Sequence, residues 1–94
     1  MKVYIAGPIT GVFDYKQKFK AAEEKVKEMG HIAINPSFLP EGLHDYMGIC
    51  IAMLDQADAI LLLKGWENSV GANTELVHAT ESGKRILHEE GCME

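Results

Sequence analysis

The sequence predicts an α/β fold: a small Rossmann-like or flavodoxin-like parallel sheet, strand order 2-1-3-4, with helices on both faces. Three observations lead there. Short β-type runs alternate with stretches of helical periodicity in the order β-α-β-α-β-α-β, which implies parallel strands joined by right-handed crossovers. The joins are short, apart from one loop before the second helix. The most apolar run, Ala57-Asp58-Ala59-Ile60-Leu61-Leu62-Leu63, has the character of a strand covered on both faces.

Each element has its own signal. Lys2-Val3-Tyr4-Ile5-Ala6 is a short strand stopped by Gly7-Pro8. Residues 14–29 repeat Phe19, Ala22, Val26 and Met29 at helical spacing, and Gly30 stands where a helix C-cap glycine is expected. His31-Ile32-Ala33-Ile34 is the second strand, closed by Asn35-Pro36, and residues 37–43 form the longer loop. Residues 45–56 make a second helix with Met47, Cys50, Ile51 and Leu54 on one face. Ser69 is an N-cap for a third helix that ends near Gly83. Lys84-Arg85-Ile86-Leu87-His88 is the last strand, and residues 89–94 look like a frayed tail.

Ninety-four residues make one domain, 1–94, whose small core leaves a thin stability margin. Self-association as a homodimer or larger homo-oligomer is a common remedy, and the apolar second helix is the expected contact. The net charge of −5 argues against a nucleic-acid partner, because the lysines at 16, 18, 20, 25 and 27 interleave with Glu23, Glu24 and Glu28 as on a solvated helix face. Residues 1–12 do not read as a signal peptide, and no apolar run is long enough to span a bilayer. Cys50 and Cys92 lack metal or redox spacing, and His31, His44, His78 and His88 are scattered. The expectations are therefore a cytoplasmic location, no membrane partner, no metal and no cofactor.

In open parallel sheets, ligands bind beyond the strand carboxyl ends where the strand order reverses. Here that place lies between strands one and three, bounded by Gly7-Pro8-Ile9-Thr10-Gly11 and by Gly65-Trp66-Glu67-Asn68-Ser69-Val70-Gly71. The first loop lacks the spacing of a Walker or dinucleotide motif. It reads either as a tight connection or as a ligand loop with Thr10 as an extra donor. With Ser69 as cap, Gly71 and Ala72 fall in the first helical turn, where unpaired N–H groups and small side chains admit a phosphate or sugar oxygen. Glu75 follows about one turn inside. It reads as a surface carboxylate complementing the helix dipole, the commoner role, or as an ionised nucleophile for a sugar C1′. Trp66 has two readings as well, stacking on a base or packing.

Taken together, Tyr4-Ile5-Ala6-Gly7-Pro8-Ile9-Thr10-Gly11, Gly30-His31, Ile34-Asn35-Pro36, Asp45-Tyr46-Met47, Ala57-Asp58-Ala59-Ile60, Gly65-Trp66-Glu67-Asn68-Ser69, Gly71-Ala72 and Glu75 resemble the nucleoside 2-deoxyribosyltransferase-like superfamily, in its short bacterial and phage branch. The resemblance covers residues 2–86 in order. It implies a small-molecule nucleoside or nucleoside 5′-monophosphate ligand and, at Glu75, a nucleophile that attacks the deoxyribose C1′. The base then leaves, and a sugar–enzyme ester passes the sugar to another base or to water, as in a retaining glycosidase. It also implies that Ser69 and Gly71 lie on the sugar and phosphate side and that the loop from Gly7 to Gly11 closes over the ligand.

One position departs from that pattern. Where the branch carries an aspartate on the second helix, this sequence reads Tyr46-Met47-Gly48-Ile49-Cys50, and a neutral thiol is a weak hydrogen-bonding group. Asp45 and Asp55 are each five residues from Cys50, about 140° around a helix, and Asp58 opens strand three at the opposite edge. An acid from a neighbouring subunit remains open. Three readings follow: an enzyme acting on the N-glycosidic bond of a 2′-deoxynucleoside or its 5′-monophosphate, a binding protein that sequesters a nucleotide or a nucleotide-derived signal, and a small oligomeric scaffold.

Overall fold

The computed structural model describes residues 1–9, 12–40 and 43–89. Four parallel strands, β1 (Lys2–Ala6), β2 (Ile32–Ile34), β3 (Ala59–Leu62) and β4 (Arg85–His88), pair in the order β2-β1-β3-β4. Three helices cross between them: α1 (Tyr15–Glu28), α2 (Tyr46–Asp55) and α3 (Val70–Glu81). The central pair is in register from Val3 opposite Ala59 to Ala6 opposite Leu62, which brings the loops after β1 and β3 together at the carboxyl edge. This is the predicted sheet, with the order reversing between β1 and β3.

Strand alternation divides the core in two. Val3, Ile5, Ala59 and Leu61 pack against Phe19, Ala22 and Val26 of α1. Tyr4, Ala6, Ile60 and Leu62 pack on the other face against Cys50 and Leu54 of α2 and Ala79 of α3. Ile5, Ile60 and Leu61 are fully buried, which is why β3 has no polar alternation to read. Gly30 follows α1 with φ +85, the left-handed conformation that ends a helix cleanly on glycine.

Several boundaries differ from the sequence reading by a residue or two, as helix and strand ends do. The loop before α2 carries a 3₁₀ turn, Pro36–Phe38, whose cap Asn35 accepts from the Ser37 N–H at 2.9 Å. A second 3₁₀ turn, Trp66–Asn68, lies between β3 and α3. Glu89, expected in a frayed tail, is held at both ends: its N–H donates to the Leu62 carbonyl at 2.9 Å, and its carboxylate accepts from the Lys64 N–H at 2.9 Å. Residues 90–94 lie outside the described residues. No helix among the described residues is long and apolar enough to cross a membrane.

Candidate active site

Gly7 is the residue that brings the two loops close. A Cβ there would lie 2.9 Å from the Leu63 Cβ, so only glycine lets the chain leaving β1 run against the end of β3. Beyond this contact opens a cleft of about 620 Å³, within the usual range for a small-molecule site. Its walls include Gly7, Pro8 and Ile9 from the first loop, Asn68, Ser69, Val70, Gly71 and Ala72 from the start of α3, and Glu75. Thr10 and Gly11, also expected at the site, lie outside the described residues.

Ser69 takes extended backbone angles at the head of α3, and its Oγ accepts from the Ala72 N–H at 3.1 Å. That bond uses one of the unpaired first-turn donors and fixes the direction in which the helix starts. Asn73 does the rest. Its Nδ2 donates to the carbonyls of Trp66, Glu67 and Ser69 at 3.2, 3.1 and 2.8 Å, lashing the β3–α3 loop to the helix it precedes. Trp66 itself does not line the cleft. It packs toward β4, with its ring 6.0 Å from that of His88, so among the described contacts it takes the packing alternative.

Glu75 points inward and is only 6% exposed. Its Oε2 accepts a hydrogen bond from the Tyr4 hydroxyl at 2.5 Å, a contact between α3 and the middle of β1. Burial pushes the carboxyl up to about 7, while the Tyr4 hydroxyl and the neighbouring Cys50 thiol pull it the other way. Burial therefore opposes the ionised state expected from the helix dipole. Glu75 sits beyond the first turn of α3, where the helix field fades, and loss of water around the charge outweighs it.

The groups around Glu75 are pushed in the same direction. Burial, then the adjacent carboxylate, raises Tyr4 far above the ordinary phenol range. Burial raises the Cys50 thiol and takes Tyr46 up to about 12. The Tyr46 hydroxyl donates to the Pro36 carbonyl at 3.2 Å, which ties α2 to the 3₁₀ turn at the cleft rim. Every buried side-chain nitrogen and oxygen among the described residues has a partner.

The three aspartates weighed as substitutes for the missing acid are engaged elsewhere. Asp45 caps α2 by accepting from the Gly48 N–H at 3.0 Å. Asp55 pairs with His78 at 2.6 Å on the outer side of α2 and α3. Asp58 accepts from the Lys2 N–H at 2.8 Å at the amino edge of the sheet. None of them lines the cleft. Among the described residues, no cluster of three His, Cys, Asp or Glu side chains could hold a metal ion.

The sequence reading missed Tyr4, Tyr15, Tyr46 and Asn73. A lone tyrosine in an aliphatic strand was the available signal for Tyr4, since a phenol buried in a sheet needs a partner for its hydroxyl. Nothing local to the sequence names that partner, which lies 71 residues away.

No curated protein matches the chain by sequence. Among solved structures, it is similar to a 2-deoxyribosyltransferase from the psychrotolerant bacterium Bacillus psychrosaccharolyticus, with TM-score 0.70 and 18% identity over 94% of this chain and 71% of that one. It is also similar to the CMP N-glycosidase BcmB of Clostridium botulinum, with TM-score 0.64 and 18% identity over 97% of this chain and 72% of that one. At such identities the likeness speaks for the fold, and the chain has the nucleoside 2-deoxyribosyltransferase-like fold. One family model, described as a domain of unknown function (DUF4406), matches residues 1–88, from the first strand through the last, and the chain belongs to that family.

Proposed function

We propose that the chain cleaves or transfers at the N-glycosidic bond of a 2′-deoxynucleoside or its 5′-monophosphate, with Glu75 as nucleophile. The observation that carries this reading is the buried Glu75 carboxyl in the cleft, held through Oε2 by Tyr4. A carboxylate kept dry and fixed in direction stabilises the positive charge that develops at C1′ far better than a solvated one. With Tyr4 on Oε2, Oε1 is the oxygen we assign to the attack. The C1′–N bond breaks as the C1′–O bond forms, and water or a second base then takes the sugar from the ester. The head of α3, at Ser69 and Gly71, together with Gly7, Pro8, Ile9 and Thr10, receives the sugar and any phosphate. The structural neighbours, a deoxyribosyltransferase and a CMP N-glycosidase by name, support the reaction class.

The reading includes a single domain, a cytoplasmic location and a homo-oligomer. The apolar helix α2, where Ile49 is exposed, is the surface that a second copy would cover, with the fully exposed Phe13 as further apolar surface, and light scattering at tens of micromolar decides this. A monomer would reject the oligomer.

The deciding experiment for the reaction is incubation with a panel of deoxynucleosides and deoxynucleotides, measuring released base and retained ligand. Base release that is lost in Glu75→Gln supports the proposal, and release retained in that variant rejects it. A second reading is a binding protein without turnover, favoured by the neutral Cys50 beside a Glu75 that is half protonated near pH 7. Retained ligand with no released base from wild type selects it.

A further inference from the structure

The cleft has an unusual balance of groups for a site that must expel a base. Glu75 is the only carboxyl among the described residues that line it, and no described Lys, Arg or His lines it at all. Its other proton-bearing side chains are the phenols of Tyr4, Tyr15 and Tyr46, the Cys50 thiol and the Ser69 hydroxyl, besides the Asn68 amide. The Tyr4 proton is committed to Glu75, and the Tyr46 proton to the Pro36 carbonyl. A neutral purine or pyrimidine leaves C1′ with the bonding pair and needs a proton to leave well. Glu75 cannot supply it while acting as the nucleophile.

The remaining lining points the same way. Tyr15, edge-on to Phe19 with ring centres 6.3 Å apart, and Tyr46 are half-buried and bring aromatic rings to the cleft that holds Glu75. Aromatic rings plus one carboxyl, with no basic side chain among the described lining residues, is a composition suited to a flat organic cation.

We infer that the preferred substrate is a nucleoside or nucleotide whose base already carries a fixed positive charge, such as an N-glycosylpyridinium. This rests on the proposed Glu75 chemistry and names its substrate class. The step balances without an acid. The C1′–N pair returns to the ring nitrogen and cancels its positive charge, so the base departs neutral. The Glu75 carboxylate gives a neutral ester. Water then cleaves that ester, restoring the carboxylate and releasing one proton to solvent per turnover. The substrate's cation also draws Glu75 into its ionised form on binding, which no positive side chain among the described lining residues does in the resting cleft.

The test uses the full chain with nicotinamide 2′-deoxyriboside and its 5′-monophosphate against the four common deoxynucleosides and their 5′-monophosphates. Base release should favour the pyridinium substrates by at least about 100-fold in kcat/KM, after the spontaneous rate is subtracted. Cys50→Asp should raise release from the purine substrates by at least about 10-fold and narrow that ratio. A pH profile of the wild type needs no variant to fold. With the pyridinium substrate, kcat/KM should rise through about pH 7, where the free Glu75 titrates, and stay level to pH 9. A falling alkaline limb would reveal a general acid and overturn the inference. Equal or faster release from the common deoxynucleotides would also overturn the inference, while leaving the proposed reaction standing. No release from any substrate would reject the proposed reaction itself. In that case, N-methylnicotinamide binding no tighter than neutral nicotinamide would reject cation recognition too.

Discussion

At the amino edge of the sheet, Asp58 is exposed and accepts a hydrogen bond from the Lys2 N–H; at the carboxyl edge, Glu75 is buried and accepts one from the Tyr4 hydroxyl. The backbone donor holds Asp58 below the usual carboxylate range, whereas burial holds Glu75 well above it. Both have one good donor, so the donor does not decide the sign. Solvent does. Water around Asp58 leaves its charge cheap, while the wall of β1, α2 and α3 around Glu75 makes charge costly even with a short hydrogen bond in place. The same sheet therefore keeps a carboxylate ionised at one end and opposes ionisation of one at the other, inside the cleft.

The largest expected effect is on turnover. Glu75→Gln keeps the shape and the Tyr4 contact but removes the charge, and base release should fall by about 10³-fold or more. The same variant should be more stable than wild type in alkali. Because the folded carboxyl is raised from 4.5 to about 7, its favourable contribution is complete below pH 4.5 and disappears as pH rises through 7. Against Glu75→Gln, wild type should lose on the order of 3 kcal/mol between pH 4.5 and 8, read from urea unfolding at each pH. A flat difference would mean that Glu75 is solvated and that the contrast with Asp58 is unfounded.

Tyr4→Phe sharpens the comparison by removing the donor and leaving the burial. The acid limb of the rate profile should move up from about 7 by about one unit, with a rate loss of roughly 10- to 100-fold at pH 7. An unshifted limb would mean that Tyr4 serves packing alone. Ser69→Ala removes the cap of α3 and should cost about 1 kcal/mol in denaturant unfolding, with a weakened KM if substrate oxygens meet this helix end. Asp58→Asn should have the smallest effect. The lowered carboxyl contributes stability above pH 4 that is lost as pH falls, so the variant should be slightly less stable at neutral pH, equal to wild type in acid, and unchanged in base release. A change in turnover would place chemistry at the wrong edge.

The two edges are only partly distinguished by the sequence. The alternation of elements, the 2-1-3-4 order, the Ser69 cap and the meeting of the Gly7 and Ser69 loops follow from local signals and a few topological rules, and the structure has all of them. Periodicity, turn residues and caps act within a few positions, so a reader of the chain meets them directly. Glu75 was legible as a residue of α3 facing the crevice, and the amino-edge place of Asp58 followed from its position at the head of the third strand.

What belonged to the tertiary structure alone was the character of those residues. The Tyr4–Glu75 bond spans 71 positions, the Asp58 contact with Lys2 spans 56, and the turn of Trp66 toward His88 depends on where β4 lies. Such contacts exist only once the sheet has formed, because strand pairing brings distant positions within a hydrogen bond of one another. The charge state of Glu75 depends on them still more strictly. A helix-end carboxylate reads as ionised from sequence, and only the packing of β1 and α2 against it removes the water that would keep it so.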